Sequence, residues 1–234
     1  MAIAHVQSVG DNAKSLAYSG AVSAGNFLVS GISTAGVITD FDDTVNGDWG
    51  AEVIVEDGQS ASLLYAYIFA FLNTGAGTPT VSFAGGFDNF EHMGVAEFSG
   101  VATTDALDQT NSGIRLVAET AVTSGTISTP GGEERLLIGV VANESTRTFA
   151  PDTGWTEMYD GADNSRALSF CYRIVSDADD YAMTGELSGV AAWSACIASF
   201  KPAAAASGQP AVKRFGGVQF GPGFAQNIKG MKGW

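Results

Sequence analysis

Histidine and cysteine are scarce in this chain, with two of each, and the scarcity removes several kinds of chemistry at the outset. Neither His5 nor His92 lies near a serine in a nucleophile motif, so a Ser-His-Asp site is not expected. No Cys/His cluster has the spacing of a zinc site, and no glycine-rich loop stands before a helix to cradle a phosphate. Cys171 and Cys196 are each flanked by apolar residues in strand-like segments, which reads as two buried free thiols. A cross-strand disulfide between them would require their strand phases to coincide.

Charge is sparse too, at 15% of residues, and no window carries a sustained 3.6-residue apolar period with caps, so helices are not expected. Long apolar runs are missing. The longest, Leu63 to Leu72, is too short to cross a bilayer as a helix. The opening MAIAHVQSVGDNAKS has neither a basic start nor an apolar stretch, so no secretory signal is expected and synthesis in a cytoplasm is.

What the chain does have is glycine, 30 residues in 234, and 45% apolar residues. That composition suits many short strands joined by tight turns, and an all-β fold follows. The stretch Ser62 to Phe71 is apolar at almost every position. Tyr65, Tyr67, Phe69 and Phe71 alternate with Leu64, Ala66, Ile68 and Ala70, which describes a central strand with one bulky and one aliphatic face, both covered. Around it, strands are expected near Val6, at 16–19, at 27–33, at 50–56, at 80–83 and at 93–99, with DFDDTVNGD as an acidic loop and Asp57-Gly58 as the turn before the central strand.

The pattern then recurs. Gly139 answers Gly31 at an offset of 108, Trp155 answers Trp49 and Phe170 answers Leu64 at 106, and Phe200 answers Phe98 at 102. Four anchors in one order at a nearly constant spacing indicate an internal repeat, approximately 14–101 and 122–201. No Pro/Ser-rich linker separates the halves, and IRLVAET and AVTSGTIS between them are strand-like. A single jelly-roll-like antiparallel β-sandwich over 1–201, built from two similar halves, is therefore expected rather than two separate beads. Trp49 and Trp155 are its core plugs.

Beyond Lys201 the character changes. PAAAASGQPAV reads as a linker, and KRFGGVQFGPGFAQNIKGMKGW places aromatic and aliphatic residues every four or five positions among glycines, so 202–234 is expected to be an extended anchoring tail. Charge divides at the same place. Up to Phe200 six basic residues face all 25 acidic ones, a net −19, whereas Lys201, Lys213, Arg214, Lys229 and Lys232 give the remainder +5. An acidic body repels nucleic acid and anionic membrane, and a basic tail seeks an acidic partner surface. Lys213, Arg214, Phe215, Phe220, Phe224 and Trp234 are its candidate partner-binding residues.

For metals, Asp40, Asp42, Asp43, Asn46 and Asp48 make an oxygen-rich loop that resembles the opening of a Ca²⁺ loop. No glutamate closes it at the required place, and an acidic surface turn is the more common explanation. Asp177, Asp179 and Asp180 form a second, weaker cluster. Glu52, Glu97, Glu157 and Glu186 lie in or near strands, where a facing pair could serve glycoside hydrolysis, but isolated strand carboxylates are ordinarily a solvated face. No enzyme activity and no cofactor is expected.

The runs VQS…AVSAGNFLVSGIS, SLLYAYIFA and VAEFSGV, answered by ERLLIGVVA, GWTEMYDG and ACIASFKPA, resemble jelly-roll-like β-sandwich proteins of bacteriophages and bacteria. The tail KRFGGVQF with Trp234 is similar to the short C-terminal tails of phage structural proteins. The resemblance implies a virion component, made in the host cytoplasm: a capsid decoration, minor capsid or head-fibre protein, assembled as a homo-oligomer on capsid or other virion proteins. It carries over no catalytic or binding residue. The alternative is a carbohydrate-binding adhesion module of a phage tail or cell surface, contacting host glycans, with Tyr159 and Trp155 as the aromatic residues that would stack on sugar.

Overall fold

The computed structural model describes residues 1–49, 53–59, 64–86, 91–163 and 166–204, with 53–59 described by its backbone alone. All regular structure among them is β-strand. The first half contributes β1 (Ala4–Asp11), β2 (Ser15–Ala17), β3 (Phe27–Thr34), β4 (Ile38–Asp43), β5 (Gly47–Asp48), β6 (Val53–Gln59), β7 (Leu64–Phe71), β8 (Thr80–Gly85) and β9 (His92–Ser99). The second contributes β10 (Leu107–Thr123), β11 (Ile127–Ser128), β12 (Arg135–Asn143), β13 (Phe149–Pro151), β14 (Thr156–Asp163), β15 (Arg166–Val175), β16 (Asp180–Tyr181) and β17 (Thr184–Phe200).

Two large antiparallel sheets form the sandwich. Sheet 1 runs β1-β9-β3-β7-β6 and sheet 2 runs β10-β17-β12-β15-β14. Their facing sides share one core, in which Phe27, Val29, Leu64, Ala66, Ile68, Ala96 and Phe98 meet Leu136, Ile138, Val140, Leu168, Phe170, Cys196 and Phe200. The strand 64–71 behaves as its alternation demands: Leu64, Ala66, Ile68 and Ala70 enter this central core, while Tyr65, Tyr67 and Phe69 turn to the far side of sheet 1. Each fully buried large side chain is worth about 1.5–3 kcal/mol, so the shared core contributes strongly to holding the two sheets together.

Each sheet is also covered on its outer side, so the sandwich has more layers than two. A small sheet, β2-β8-β4-β5, lies over sheet 1 and encloses Leu16, Phe41, Trp49, Tyr67, Phe69 and Val81. Over sheet 2, β11-β16, β13 and the far ends of β10 and β17 enclose Ile127, Phe149, Tyr181, Met183 and Leu187.

The strand order of sheet 1 is repeated in sheet 2, and so are its irregularities. The first strand of each half breaks register at an equivalent place, between His5 and Gln7 opposite Phe98 and Glu97, and between Leu107 and Gln109 opposite Phe200 and Ser199, and β10 slips again on both sides of Glu119. The edge strands β6 and β14 break between Val53 and Val55 and between Glu157 and Tyr159. Bulges reposition side chains and are placed features of a sheet.

Pairing matches Phe98 with Phe200, as the sequence offset has it. It brings Val140 rather than Gly139 to the place of Gly31, and Ile68 rather than Leu64 to the place of Phe170. The correspondence reaches back to His5 and Leu107, ahead of 14 and 122, because the bulges there interrupt the two-residue period.

Two local expectations change. Asp57-Gly58 is not a turn: both residues pair within β6, opposite Ala66 and Tyr65, because the neighbouring strand continues past them. The acidic segment is a hairpin, β4–β5, rather than an irregular loop, closed at Gly47 with φ of 81°. Cys171 and Cys196 are free and buried in different cores, on opposite faces of sheet 2, so their phases forbid a disulfide.

Candidate functional site

A row of glycines sets the closest approach of the two sheets. Gly10, Gly94 and Gly31 are register partners across β1, β9 and β3. From sheet 2, Phe170 lies over Gly94 and Gly31, where added Cβ atoms would each stand 2.6 Å from its ring. Tyr159, the register partner of Phe170, lies over Gly10 so closely that a Cβ there would enter its ring. The counterparts of Gly31 and Gly94 in sheet 2 are Val140 and Cys196, so one side of the joint is a trough and the other a ridge.

Beside the trough the buried His92 meets the half-buried Tyr159. His92, 1% exposed, brings Nδ1 to 3.3 Å from the Tyr159 hydroxyl. Burial lowers the His92 pKa, against the opposing pull of Asp163 and Asp11. Burial and the carboxylates of Asp11, Asp160 and Asp163 push the Tyr159 phenol up to about 12. Burial likewise raises Asp160, which accepts a hydrogen bond from Ser169 Oγ at 2.8 Å, and raises Glu157. The His92–Tyr159 contact joins β9 of sheet 1 to β14 of sheet 2.

The acidic hairpin is built around a carboxylate with no vacancy. Asp43, 4% exposed, accepts at Oδ1 from the backbone N–H of Val45 and Asn46, both at 2.7 Å, and at Oδ2 from Asn46 Nδ2 at 2.8 Å and Trp49 Nε1 at 2.6 Å. It fixes the turn and orients the Trp49 plug. Phe41 and Asp43 point inward, so Asp40 and Asp42 point outward, and Asp48 stands opposite Asp42. Ser82 Oγ donates to Asp42. The second cluster is likewise tied into a turn: Ser128 Oγ donates to Asp180, and Thr129 Oγ1 to the Asp177 carbonyl at 2.6 Å. Among the described residues, no group of three or more His, Cys, Asp or Glu side chains could hold a metal ion. The Ca²⁺ expectation gains no donor set.

Glu97 is fully buried, and its role is structural. It accepts from Gln7 Nε2 at 2.7 Å, the Ser23 N–H at 2.9 Å and Asn26 Nδ2 at 2.6 Å, tying β1 and the segment before β3 to β9. Its sheet 2 counterpart, Ser199, accepts the Gln109 N–H at 3.1 Å with a shorter side chain. Glu157 and Glu186 are exposed and Glu52 lies outside the described residues. Of the aromatic residues suited to sugar, Trp155 packs on the core over sheet 2, and Tyr159 is half-buried in the joint. No aromatic side chain is exposed among the described residues. Lys213, Arg214, Phe215, Phe220, Phe224 and Trp234 lie outside the described residues.

The sequence reading missed the glycine row because each member lies in a different strand, and only the pairing register aligns them. A signal was present: Gly31 and Gly94 interrupt two otherwise apolar strands, where glycine marks the close approach of another group. Comparison of the chain with family models, with curated proteins and with solved structures finds no match.

Proposed function

We propose that the chain is a bacteriophage virion structural protein, a capsid decoration, minor capsid or head-fibre component attached through its C-terminal segment and assembled as a homo-oligomer. The observation that carries the reading is the division of labour at Phe200. Residues up to that point supply the described cores, and they hold the net charge of −19. The segment after it is basic, and its sequence spaces aromatic residues among glycines. Conspicuous polar groups of the body, Asp43, Glu97 and the His92–Tyr159 pair, are engaged in holding strands and turns, as a structural component requires.

In this reading the acidic body faces away from the particle. The tail docks by Phe215, Phe220, Phe224 and Trp234, with Lys213 and Arg214 set against acidic groups of the capsid. Each buried aromatic side chain contributes about 1.5–3 kcal/mol toward offsetting the cost of ordering the residues around it. The adhesion-module alternative lacks the exposed aromatic platform it needs among the described residues.

The test mixes purified full-length protein, or protein ending at Pro210, with particles lacking this component, followed by imaging. Density from the full-length protein alone supports the anchor. Equal binding of both forms, or of neither, overturns it.

A further inference from the structure

The one Asn-Gly step of the chain, Asn46-Gly47, lies in the β4–β5 hairpin, and it brings with it a reaction that needs no enzyme. The backbone nitrogen of Gly47 can attack the side-chain Cγ of Asn46 and close a succinimide ring, since glycine carries no side chain to shield that nitrogen. In that step the Gly47 N–H gives its proton to a base in solution, a bond forms from this nitrogen to Cγ, and the Asn46 amide nitrogen leaves as ammonia. Water then opens the ring at either carbonyl. The product is aspartate, or isoaspartate in which the chain continues through the side-chain carboxyl, with one water consumed and one ammonia released.

The fold holds both ends of the reacting group. Asn46 Nδ2 donates to Asp43 Oδ2 at 2.8 Å and to Thr74 Oγ1 at 3.0 Å. Asn46 Oδ1 accepts from the Gly75 N–H at 2.8 Å and stands 3.1 Å from the same Thr74 hydroxyl. The backbone N–H of Asn46 donates to Asp43 Oδ1 at 2.7 Å. One carboxylate thus clasps both the residue's own N–H and its side-chain amide, which draws the carboxamide to the amino side of Asn46. The attacking nitrogen belongs to the carboxyl side, so ring closure requires these bonds to break first. The clasping residues are fixed in turn. Thr74 is buried and its N–H donates to the Asn26 carbonyl at 3.0 Å, while Asp43 also holds the Trp49 indole.

We propose that Asn46 is a deamidation site gated by the β4–β5 hairpin, silent while the hairpin is closed and converted when it opens. The conversion runs one way. An aspartate at 46 sets a second carboxylate oxygen against Asp43 Oδ2, and like charges at hydrogen-bond distance do not both ionise readily. Isoaspartate adds a backbone methylene inside the turn that Asp43 and Gly47 close. Either product keeps the hairpin from closing again as it was, so the modification records that a chain has opened here.

The test follows Asn46 by peptide mapping and mass spectrometry while the full chain is incubated in mildly alkaline buffer, beside a urea-unfolded sample. The folded wild type is expected to convert at least about tenfold more slowly than the unfolded chain, because only the open fraction reacts. Asp43→Ala and Thr74→Val, each shown by circular dichroism to be folded, are expected to convert about tenfold faster than folded wild type. Thr74→Val leaves Asp43 and the Trp49 contact in place, so it carries the test where Asp43→Ala does not fold. Asn46→Asp, which reproduces one product, is expected to speed hydrogen exchange at the two hairpin amides that Asp43 holds. Conversion of the folded wild type at the unfolded rate overturns the inference. So do folded variants that convert no faster than wild type, or an Asn46→Asp chain whose hairpin exchanges as slowly as wild type.

Discussion

Replacing Gly94 by alanine sets a Cβ 2.6 Å from Phe170 Cδ1, well inside contact distance, in a joint where the neighbouring backbone belongs to two paired strands. The ring of Phe170 cannot retreat, because its own strand is paired on both sides, with β12 and β14. The substitution is therefore an overpacking change, costing about 1–3 kcal/mol. Phe170→Ala acts in the opposite sense: it empties a fully buried site and costs about 3–5 kcal/mol. For a body of this size about 2–4 °C is lost per kcal/mol, so Tm falls by about 2–12 °C in the first variant and about 6–20 °C in the second. The decisive measurement is the double variant Gly94→Ala with Phe170→Leu, compared with each single change by urea unfolding. The smaller side chain leaves room for the new methyl group, so the double variant is expected to be more stable than the sum of the singles by about 1 kcal/mol or more. Additive costs, with a coupling under about 0.5 kcal/mol, would refute the seating of Phe170 on the glycine row.

Asp43→Ala removes the acceptor of four hydrogen bonds and strands the Trp49 indole N–H, so a loss of about 3 kcal/mol is expected, with a change in tryptophan fluorescence and a lower urea midpoint. Glu97→Leu leaves the Ser23 N–H and Asn26 Nδ2 without this acceptor and Gln7 Nε2 with the Gly20 carbonyl alone, and is expected to cost about 3–5 kcal/mol, read as rapid hydrogen exchange along β1 before global unfolding. Burial lowers both His5 and His92. Below pH about 6.5 the unfolded chain therefore takes up protons that the folded chain binds only at lower pH, and stability falls as the pH drops. His5→Gln with His92→Gln should abolish that slope between pH 7.5 and 5.5; a slope unchanged in the double variant counts against the assignment. At the other extreme, Tyr159 keeps its proton to about 12. Stability is thus lost as the pH rises above about 10, and Tyr159→Phe should lessen that loss in alkaline unfolding curves.

The fold class was legible because the two-residue period of strand 64–71 states directly that both of its faces are covered. The acidic hairpin was legible only in part: aspartates mark a turn, but which one is buried depends on the phase that puts Phe41 and Asp43 inward together. Glu97 could not be read as a buried hub from its own surroundings in sequence, since its donors Gln7, Ser23 and Asn26 are brought to it by pairing with β1 and β3. The glycine row is the clearest case of information held in register, because Gly10, Gly31 and Gly94 acquire a common meaning only after three strands are aligned. Residue offsets captured Phe98 and Phe200 and slipped elsewhere, because bulges and unequal loops shift strands by amounts that a constant spacing cannot absorb.

The trough and its filling make the joint between the halves directional in its choice of mate. Both halves present an apolar sheet face that demands a cover, so a half expressed alone would seek one. Two first halves brought together would set Ile68 where Phe170 belongs, leaving the glycine trough underfilled. Two second halves would drive Phe170 against Val140 and Cys196, where no trough exists. Only the unlike pair closes without a void or a collision. A covalent link between the halves is then not what selects the partner: two separately produced halves of this chain carry enough shape information to find each other in preference to themselves.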